Sequence, residues 1–366
     1  MKEDFLVWSE GKRPGKVISK ETLNHPSLIE MVSGLDVYQH TREAYLRAYE
    51  ALGIDLVNRV PIDNAPLPTP EGQIRTHPSL PYGFSALGVF DTAMRQNYAV
   101  KQPEEVFDLD LRTIRFEDLV VPVPHSCRPA DIRLRQQALG AIGQYYPLYY
   151  TTLFMWAVEA LGWENFLISA ATEPRRFEEH FLRPCVEKSK AIVRAIAETT
   201  ECPFVFLHDD LASASGPMFG LSWYDEYIFP HYPAIFAEAK QRGKKVIVVA
   251  DGNMTAFLER LAAAGADGIM YENPATPLDK VIAVFGQPGR FHIGGIETAK
   301  LTTGSPSQVR QMVFDLAAKM EHCPGFALSS CGGLHGNVPL ENLEAYFDAR
   351  AEIGATPTNW RTRGHV

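Results

Sequence analysis

The sequence predicts an α/β protein built around a parallel barrel, and three observations support this prediction. Short apolar runs rich in β-branched residues alternate with helical patterns along the chain. Such apolar runs suit strands that are covered on both faces, as in parallel sheets. No short repeat is evident beyond this alternation, which favours a barrel over a solenoid. A length of 366 residues allows one elaborated barrel with inserted loops.

The clearest strand-helix-strand unit covers residues 245–272. Residues 246–249 form an apolar β-branched run, the turn Asp251-Gly252-Asn253 follows, and a helical pattern ends at Gly265. A second apolar run over residues 268–271 ends on Glu272. Ligands of α/β folds bind outside the carboxyl ends of parallel strands, so Asp251 and Glu272 are predicted at one rim of the site. In the alternative interpretation, Asp251 only caps its helix and Glu272 is solvated.

The remaining elements are predicted in the same way. Residues 21–53 have helical periodicity, and residues 55–61 are the expected first strand. A strand is predicted at 147–152 and helices at 153–197, followed by strands at 204–207, 291–293 and 326–328. We therefore expect an N-terminal helical extension, residues 1–54, packed on a barrel formed by residues 55–366.

A long insertion, at about residues 62–140, is predicted to cross the barrel mouth. It is rich in proline and glycine and has little sustained periodicity. Long loops in compact domains are usually functional lids or binding loops. Tyr82, Phe84 and Arg95 are therefore candidate substrate-binding residues, and Arg75 and His77 could also meet an anionic substrate. In the alternative interpretation, these charged loop residues are only solvated.

Composition and charge exclude several classes of protein. The chain is 46% hydrophobic and 22% charged, which is ordinary for a globular protein. A formal net charge of -9 argues against a nucleic-acid partner, which needs a basic face. No apolar run approaches the roughly 20 residues that span a bilayer, and the start of the chain lacks the apolar core of a signal peptide. We expect a cytoplasmic protein, without a membrane partner, whose five scattered cysteines are reduced thiols.

Side chains with catalytic or metal-binding chemistry follow the predicted strands. They are His208, Asp209, Asp210, Asp251, Glu272, His292, Glu297, Cys331 and His335. If the barrel is correct, they converge on one rim, where carboxylate, imidazole and thiolate form either a zinc site or an acid and base pair. Spacing alone does not choose between these two possibilities.

His208, Asp209 and Asp210 are the candidate catalytic residues. The two adjacent carboxylates repel unless a cation or a donor offsets their charge, so at least one is expected to face the site. A carboxylate-oriented imidazole suits His208 as a ligand or base. The alternatives are a satisfied structural histidine at position 208 and a buried, chemically inert thiol at Cys331.

In the order and spacing of several motifs, the chain resembles the uroporphyrinogen decarboxylase superfamily from about residue 55 to residue 351. The motifs are the Asp209-Asp210 strand end, the run from Phe229 to Phe236, the turn Asp251-Gly252-Asn253, Glu272, the run Ile293-Gly294-Gly295-Ile296, and Cys331-Gly332 followed by Pro339-Leu340-Glu341-Asn342-Leu343. The resemblance implies a distorted (β/α)8 TIM barrel, in agreement with the strand pattern.

Within this superfamily, the chain is more similar to the cobalamin-dependent, O-demethylase-like methyltransferases. Members of this branch generally bind zinc through a His-x-Cys pair before the Gly-Asn turn and through a later cysteine. The corresponding positions here are Val249, Asp251 and Cys331. Glu272 falls where related enzymes place an acidic ligand. The resemblance thus implies zinc on Asp251, Glu272 and Cys331, with His208 as a further ligand or proton donor.

The haem-pathway decarboxylases resemble one another in an Arg-rich segment after the first strand, which anchors the substrate's carboxylates. Here that place reads Pro61-Ile62-Asp63-Asn64-Ala65-Pro66, which contains no arginine. Porphyrinogen decarboxylation is therefore not expected.

The resemblance implies a methyltransferase that moves a methyl group from a small O-methyl or N-methyl donor, such as a methoxylated aromatic, to a corrinoid. No cobalamin-binding module is visible, so a partner protein would supply the corrinoid; a homodimer is also expected from the resemblance. One alternative is a metal-free decarboxylase or lyase of a small carboxylated substrate. Another is a catalytically silent subunit that binds a small molecule.

Overall fold

Eight parallel strands form a closed barrel in the part of the chain that the computed structural model describes, residues 2–62, 83–84, 90–91, 100–109, 111, 127–330 and 332–363. The strands are β1 (Ile18–Lys20), β2 (Leu56–Val57), β3 in two pieces (Gln144–Tyr145 and Leu148–Tyr149), β4 (Phe204–His208), β5 (Lys245–Ala250), β6 (Gly268–Tyr271), β7 (Phe291–Ile296) and β8 (Phe326–Ser330).

Strand pairing closes the ring. Each strand is paired with the next in parallel, and β1 is also paired with β8. The first piece of β3 pairs with β2 and the second piece pairs with β4, so the break between the two pieces does not open the barrel. The predicted α/β barrel of the (β/α)8 type is confirmed.

Helices surround the barrel. They are Lys2–Ser9, Pro26–Ser33, Thr41–Leu52, Pro129–Leu139, Phe154–Leu161, Trp163–Thr172, Pro174–Phe177, Arg183–Thr199, Leu221–Tyr227, Tyr232–Lys240, Leu258–Ala264, Leu278–Phe285, Thr298–Thr303, Pro306–Lys319, Leu340–Glu352 and Trp360–Arg363, with short 3-10 turns at Pro103–Asp108 and Thr255–Phe257 and a π turn at Glu178–Leu182. Most pack an apolar face on the outer surface of the strands, in the larger of two buried clusters. Among the described helices, none is both long and apolar enough to cross a membrane.

The barrel interior is filled by alternate residues of the strands. Side chains of a strand point to opposite faces in turn, so one set faces inward and the other faces the helices. The inward set forms a second, smaller buried cluster. Its members on the strands include Ile18, Leu56, Leu148, Phe204, Phe206, Ile247, Val249, Phe291, Ile293 and Ala327. The interior is therefore a packed core.

The N-terminal helix closes the amino end of the barrel. Phe5 and Trp8 belong to the interior cluster. The Trp8 ring lies 5.0 Å from the Phe204 ring and 5.2 Å from the Phe291 ring, centre to centre, and both phenylalanines begin a strand. This aromatic packing leaves the carboxyl end of the strands as the accessible mouth.

The strand predicted at residues 55–61 is not the first strand of the barrel, so this part of the prediction is wrong. Helices do form at Pro26–Ser33 and Thr41–Leu52, but β1 precedes them and lies between β2 and β8. An ion pair joins the segments that lead into β1 and β2: Nζ of Lys16 lies 2.6 Å from Oδ1 of Asp55. The three residues of β1 have no readable periodicity, so local sequence did not reveal the strand.

The predicted insertion is described only in fragments. Gly83–Phe84 pairs antiparallel with Phe90–Asp91, and the helix Pro129–Leu139 lies at its end. Phe84 is described only as part of this short strand. Tyr82, Arg95, Arg75 and His77 lie outside the described residues, so their predicted binding roles stay predictions.

Candidate active site at the carboxyl end of the barrel

The polar residues at the barrel mouth continue the inward-facing sets of their strands. His208 lies two residues after the inward Phe206, and Asp251 two residues after the inward Val249. Glu272 follows Met270, which packs against the interior cluster. Because alternate residues of a strand point inward, the inward positions are apolar along the strands and polar where the strands end.

His208 is held in one orientation by two oxygen atoms. Its Nδ1 lies 3.1 Å from the backbone carbonyl oxygen of Tyr150, which directly follows the second piece of β3. Its Nε2 lies 3.1 Å from Oδ1 of Asp210. The carbonyl can only accept a hydrogen bond, so Nδ1 carries a proton and Nε2 is the atom turned towards the acidic residues.

Asp210 and Asp251 are joined through the backbone. Oδ1 of Asp210 accepts a hydrogen bond from the Asp251 amide at 2.8 Å. His208, Asp210 and Asp251 each offer one ligand atom, and these three atoms lie within 4.8 Å of one another. The structure thus brings together two of the predicted catalytic residues and one predicted metal ligand.

Glu272 supports the turn that carries Asp251. Its Oε2 accepts a hydrogen bond from the Gly252 amide at 3.0 Å. Gly252 has a φ of 77°, and a Cβ there would lie 2.3 Å from the carbonyl oxygen of Ala212, so only glycine fits. Oδ1 of the nearby Asn253 accepts a hydrogen bond from the Thr255 amide at 3.2 Å, in the turn that precedes the helix Leu258–Ala264. Asp251 is exposed at the mouth.

Charge at the rim sets the protonation of these groups. Loss of water around the Asp251 carboxylate, with the negative charges of Asp210 and Glu272, raises its pKa to about 6 even though the residue reaches solvent. His208 and Lys20 oppose this rise. Burial lowers the pKa of His208, but the contacts with Asp210 outweigh burial and raise it to about 9. Burial raises the pKa of Asp210, and the charge of His208 more than reverses this, so the pKa is lowered.

Asp209 faces away from the mouth, unlike its two neighbours. Its oxygens accept hydrogen bonds from the amides of Leu153, Phe154 and Met155 at 2.7–3.0 Å, and from the Tyr232 hydroxyl at 2.8 Å. Burial raises the pKa of Asp209 to about 6, while these donors oppose the rise. The expectation that at least one acid of the pair faces the site holds for Asp210, whereas Asp209 holds the start of a helix.

A cavity of about 250 Å³, counting its open mouth, lies inside this polar layer. Lys20, Asp251, Met270, Ser329 and Gly332 are among the residues that line it. Sequence analysis missed Lys20, which lies two residues after the inward Ile18. Recognition of β1 as a barrel strand would have found it, since the same period of two applies.

Tyr150 is a second residue that sequence analysis missed. Its side chain is 43% exposed, and its ring lies 5.4 Å from the His208 ring. Thus an aromatic surface borders the acidic cluster at the mouth. The run of tyrosines on either side of Pro147 was the available signal, but only the barrel decides which of them is exposed.

The remaining residues predicted at the rim differ in where the structure places them. His292 is fully buried and lies outside the barrel wall, with its ring 5.2 Å from Phe326, so its predicted place at the rim is wrong. Glu297 pairs with Lys300 at 3.3 Å on the helix that follows β7. His335 lies in a short strand paired with Leu23–Asn24. Cys331 lies outside the described residues, and its predicted metal role stays a prediction.

A family model described as uroporphyrinogen decarboxylase (URO-D) matches residues 151–353, which is more than half of the chain. The chain belongs to the uroporphyrinogen decarboxylase family. The predicted superfamily is confirmed. His208, Asp210, Asp251 and Glu272 all lie within the matched residues, whereas Lys20 lies before them.

One individual relative matches a shorter part of the chain than the family model does. A protein named uroporphyrinogen decarboxylase, from Carboxydothermus hydrogenoformans, is 29% identical over 133 residues, which are 36% of this chain and 37% of that protein. The match thus spans little more than a third of that relative's length.

Two solved structures are similar to parts of this chain. A xylose isomerase domain protein from Planctomyces limnophilus has a TM-score of 0.37 and 14% identity over 66% of this chain and 92% of its own. A D-psicose 3-epimerase has a TM-score of 0.32 and 9% identity over 69% of this chain and 87% of its own.

Proposed function

We propose that this URO-D family member is an enzyme that moves a methyl group from a small O-methyl or N-methyl donor to a corrinoid carried by a partner protein. The observation that carries the proposal is the convergence of His208, Asp210 and Asp251 at the barrel mouth, where Asp251 also lines a small cavity. A methoxylated aromatic is the donor that fits the exposed Tyr150 ring beside this cluster.

The donor set at the rim fits a divalent metal ion. It combines one imidazole with carboxylates, and zinc accepts both kinds of ligand. The negative charges around Asp251 raise its pKa, and a bound cation would relieve their mutual repulsion. When bound, such an ion supplies a Lewis acid that stabilises negative charge on the oxygen or nitrogen losing the methyl group.

The residues of the chain would position this chemistry. The Tyr150 carbonyl fixes the tautomer of His208, and Glu272 holds the turn that carries Asp251. Lys20 lines the same cavity as Asp251 and adds a positive charge there, which can offset charge on the demethylated product. The site is thus preorganised on strand ends and needs no large rearrangement of the described residues.

A second candidate is a metal-free decarboxylase or lyase of a small carboxylated substrate. It is favoured by His208, whose two ring nitrogens both face oxygen acceptors, as a protonated imidazolium requires. An imidazolium at the mouth can donate a proton to the carbon that loses carbon dioxide. The segment after β1 reads Glu21-Thr22-Leu23-Asn24 and contains no arginine, which argues against a porphyrinogen substrate.

The test combines the purified zinc-loaded protein with reduced cobalamin and a panel of methoxylated aromatics and N-methyl amines. Formation of methylcobalamin is followed by absorbance. We expect turnover by the wild type and at least a 100-fold loss in Asp251→Asn, with Asp279→Asn as the exposed control acid. Turnover that is equal in Asp251→Asn, or release of carbon dioxide by chelator-treated protein without methyl transfer, would overturn the proposal.

A further inference from the structure

We propose that His208 Nε2 and the carboxylates of Asp210 and Asp251 form a complete protein ligand set for one divalent cation, without a thiolate. The three ligand atoms already lie within 4.8 Å of one another. Two ligands of a tetrahedral zinc ion at bonds of about 2.1 Å are roughly 3.4 Å apart, so modest side-chain rotations complete the site.

An interaction from outside the cluster orients the imidazole for this role. Nδ1 of His208 is held by the Tyr150 carbonyl, and Nε2 is turned towards Asp210 and Asp251. Metal-binding histidines usually donate the other ring N–H to such a carbonyl, which fixes the tautomer and the ring orientation. The protein therefore already supplies the second layer of contacts that a histidine ligand needs.

Strand register explains how the site can work without a histidine at position 249. The resemblance places the zinc-binding His-x-Cys pair of related methyltransferases at Val249 and Asp251. His208 on β4 is the register partner of Val249 on β5. The imidazole is therefore supplied at the same level of the barrel, from the adjacent strand.

Glu272 is a positioning residue in this arrangement. Its Oε2 binds the Gly252 amide and so stabilises the turn next to Asp251. Asp210 also binds the Asp251 amide, which ties the ends of β4 and β5 together. Because the proposed ligands are nitrogen and oxygen atoms, the site is harder than a thiolate site and accepts zinc, cobalt or manganese.

Calorimetric titration of chelator-treated protein with zinc tests the ligand set directly. We expect about one zinc ion per chain for the wild type and at least 100-fold weaker binding for His208→Gln, Asp210→Asn and Asp251→Asn, since even outer contacts of metal sites change affinity 10–100-fold. Asp279→Asn is the control. Circular dichroism of each variant confirms folding, and any one folded ligand variant suffices for the comparison.

The Cys331→Ser variant distinguishes the proposed ligand set from the zinc site with a cysteine ligand that the resemblance implies. We expect zinc affinity within about 3-fold of the wild type, and a cobalt-loaded protein whose spectrum lacks thiolate charge-transfer bands. Loss of zinc in Cys331→Ser together with retention in His208→Gln would overturn the proposal, as would absence of binding by the wild type. No methyl donor or corrinoid is present, so this result is independent of the methyl-transfer assay.

Discussion

At the scale of single residues, the same type of side chain has opposite roles that depend on which face of a strand it occupies. His208 faces the mouth and is surrounded by oxygen atoms, whereas His292 lies in the outer apolar layer. Neither ring nitrogen of His292 has a hydrogen-bond partner among the described residues. Burial lowers the pKa of His292 to about 4, so this residue stays neutral in the folded protein.

His292 is expected to make folding sensitive to mild acid. Its pKa is lower in the folded state than in the unfolded state, so only the unfolded chain takes up the proton between pH 6.5 and 4, and stability falls as the pH falls. Replacement by Phe should remove about 2 kcal/mol of the loss between pH 7.5 and pH 5. Urea unfolding at both pH values measures this effect.

The exposed His322 provides the control for this prediction. His322→Asn is the matched substitution, because this histidine is exposed in the folded protein. An identical loss of stability in wild type and His292→Phe would contradict the assigned burial.

At the scale of elements, the adjacent residues Asp209 and Asp210 at the end of β4 have different roles, one structural and one at the site. Asp209 points outward and binds the free amides that begin the helix Phe154–Leu161, and Asp210 points to the mouth. The first amides of a helix have no partner within the helix, so a buried carboxylate at this place is strongly stabilising. One residue therefore builds the scaffold and the next contributes to the site.

Substitution of these adjacent acids should have separable effects. Asp209→Ala leaves buried amides unpaired and is expected to lower the free energy of unfolding by about 2–4 kcal/mol. Zinc affinity of the folded fraction should change little. Asp210→Asn should instead weaken zinc binding, because it removes one of the proposed ligands. Denaturant unfolding and calorimetry on both variants measure the two effects, and equal losses of zinc would contradict the division.

At the scale of the whole molecule, the N-terminal helix closes one end of the barrel and leaves the other for chemistry. Trp8 packs between Phe204 and Phe291 inside the amino end. The acidic cluster lies at the carboxyl ends of β4 and β5. The packed interior between them separates stability at one end from binding at the other.

Trp8→Ala should therefore destabilise the protein without changing the site. The loss of a fully buried indole is expected to lower the free energy of unfolding by about 3–5 kcal/mol. Leu6→Ala on the same helix is the matched control, because Leu6 is 49% exposed and should cost less than about 0.5 kcal/mol. Guanidinium unfolding measures both variants. A change in the zinc affinity of folded Trp8→Ala would contradict the separation of the two ends.

Sequence alone determined the class of fold and much of the rim. The apolar run that became β5, the helix end at Gly265 and the strand that became β6 were all predicted correctly, because each has a local signal in side-chain period or turn chemistry. The convergence of Asp210, Asp251 and Glu272 followed from the rule that parallel strands end at one edge.

Only the tertiary structure decided which side chains face the mouth. The three-residue β1 has no local signal and is fixed by pairing with β2 and β8, so Lys20 could not be assigned to the cavity. The opposite directions of Asp209 and Asp210 depend on the helix that packs behind β4. The placement of His208 beside Val249 depends on register between strands that are distant in the chain. Local periodicity sets how strands and helices form, whereas pairing and register set which of their side chains meet.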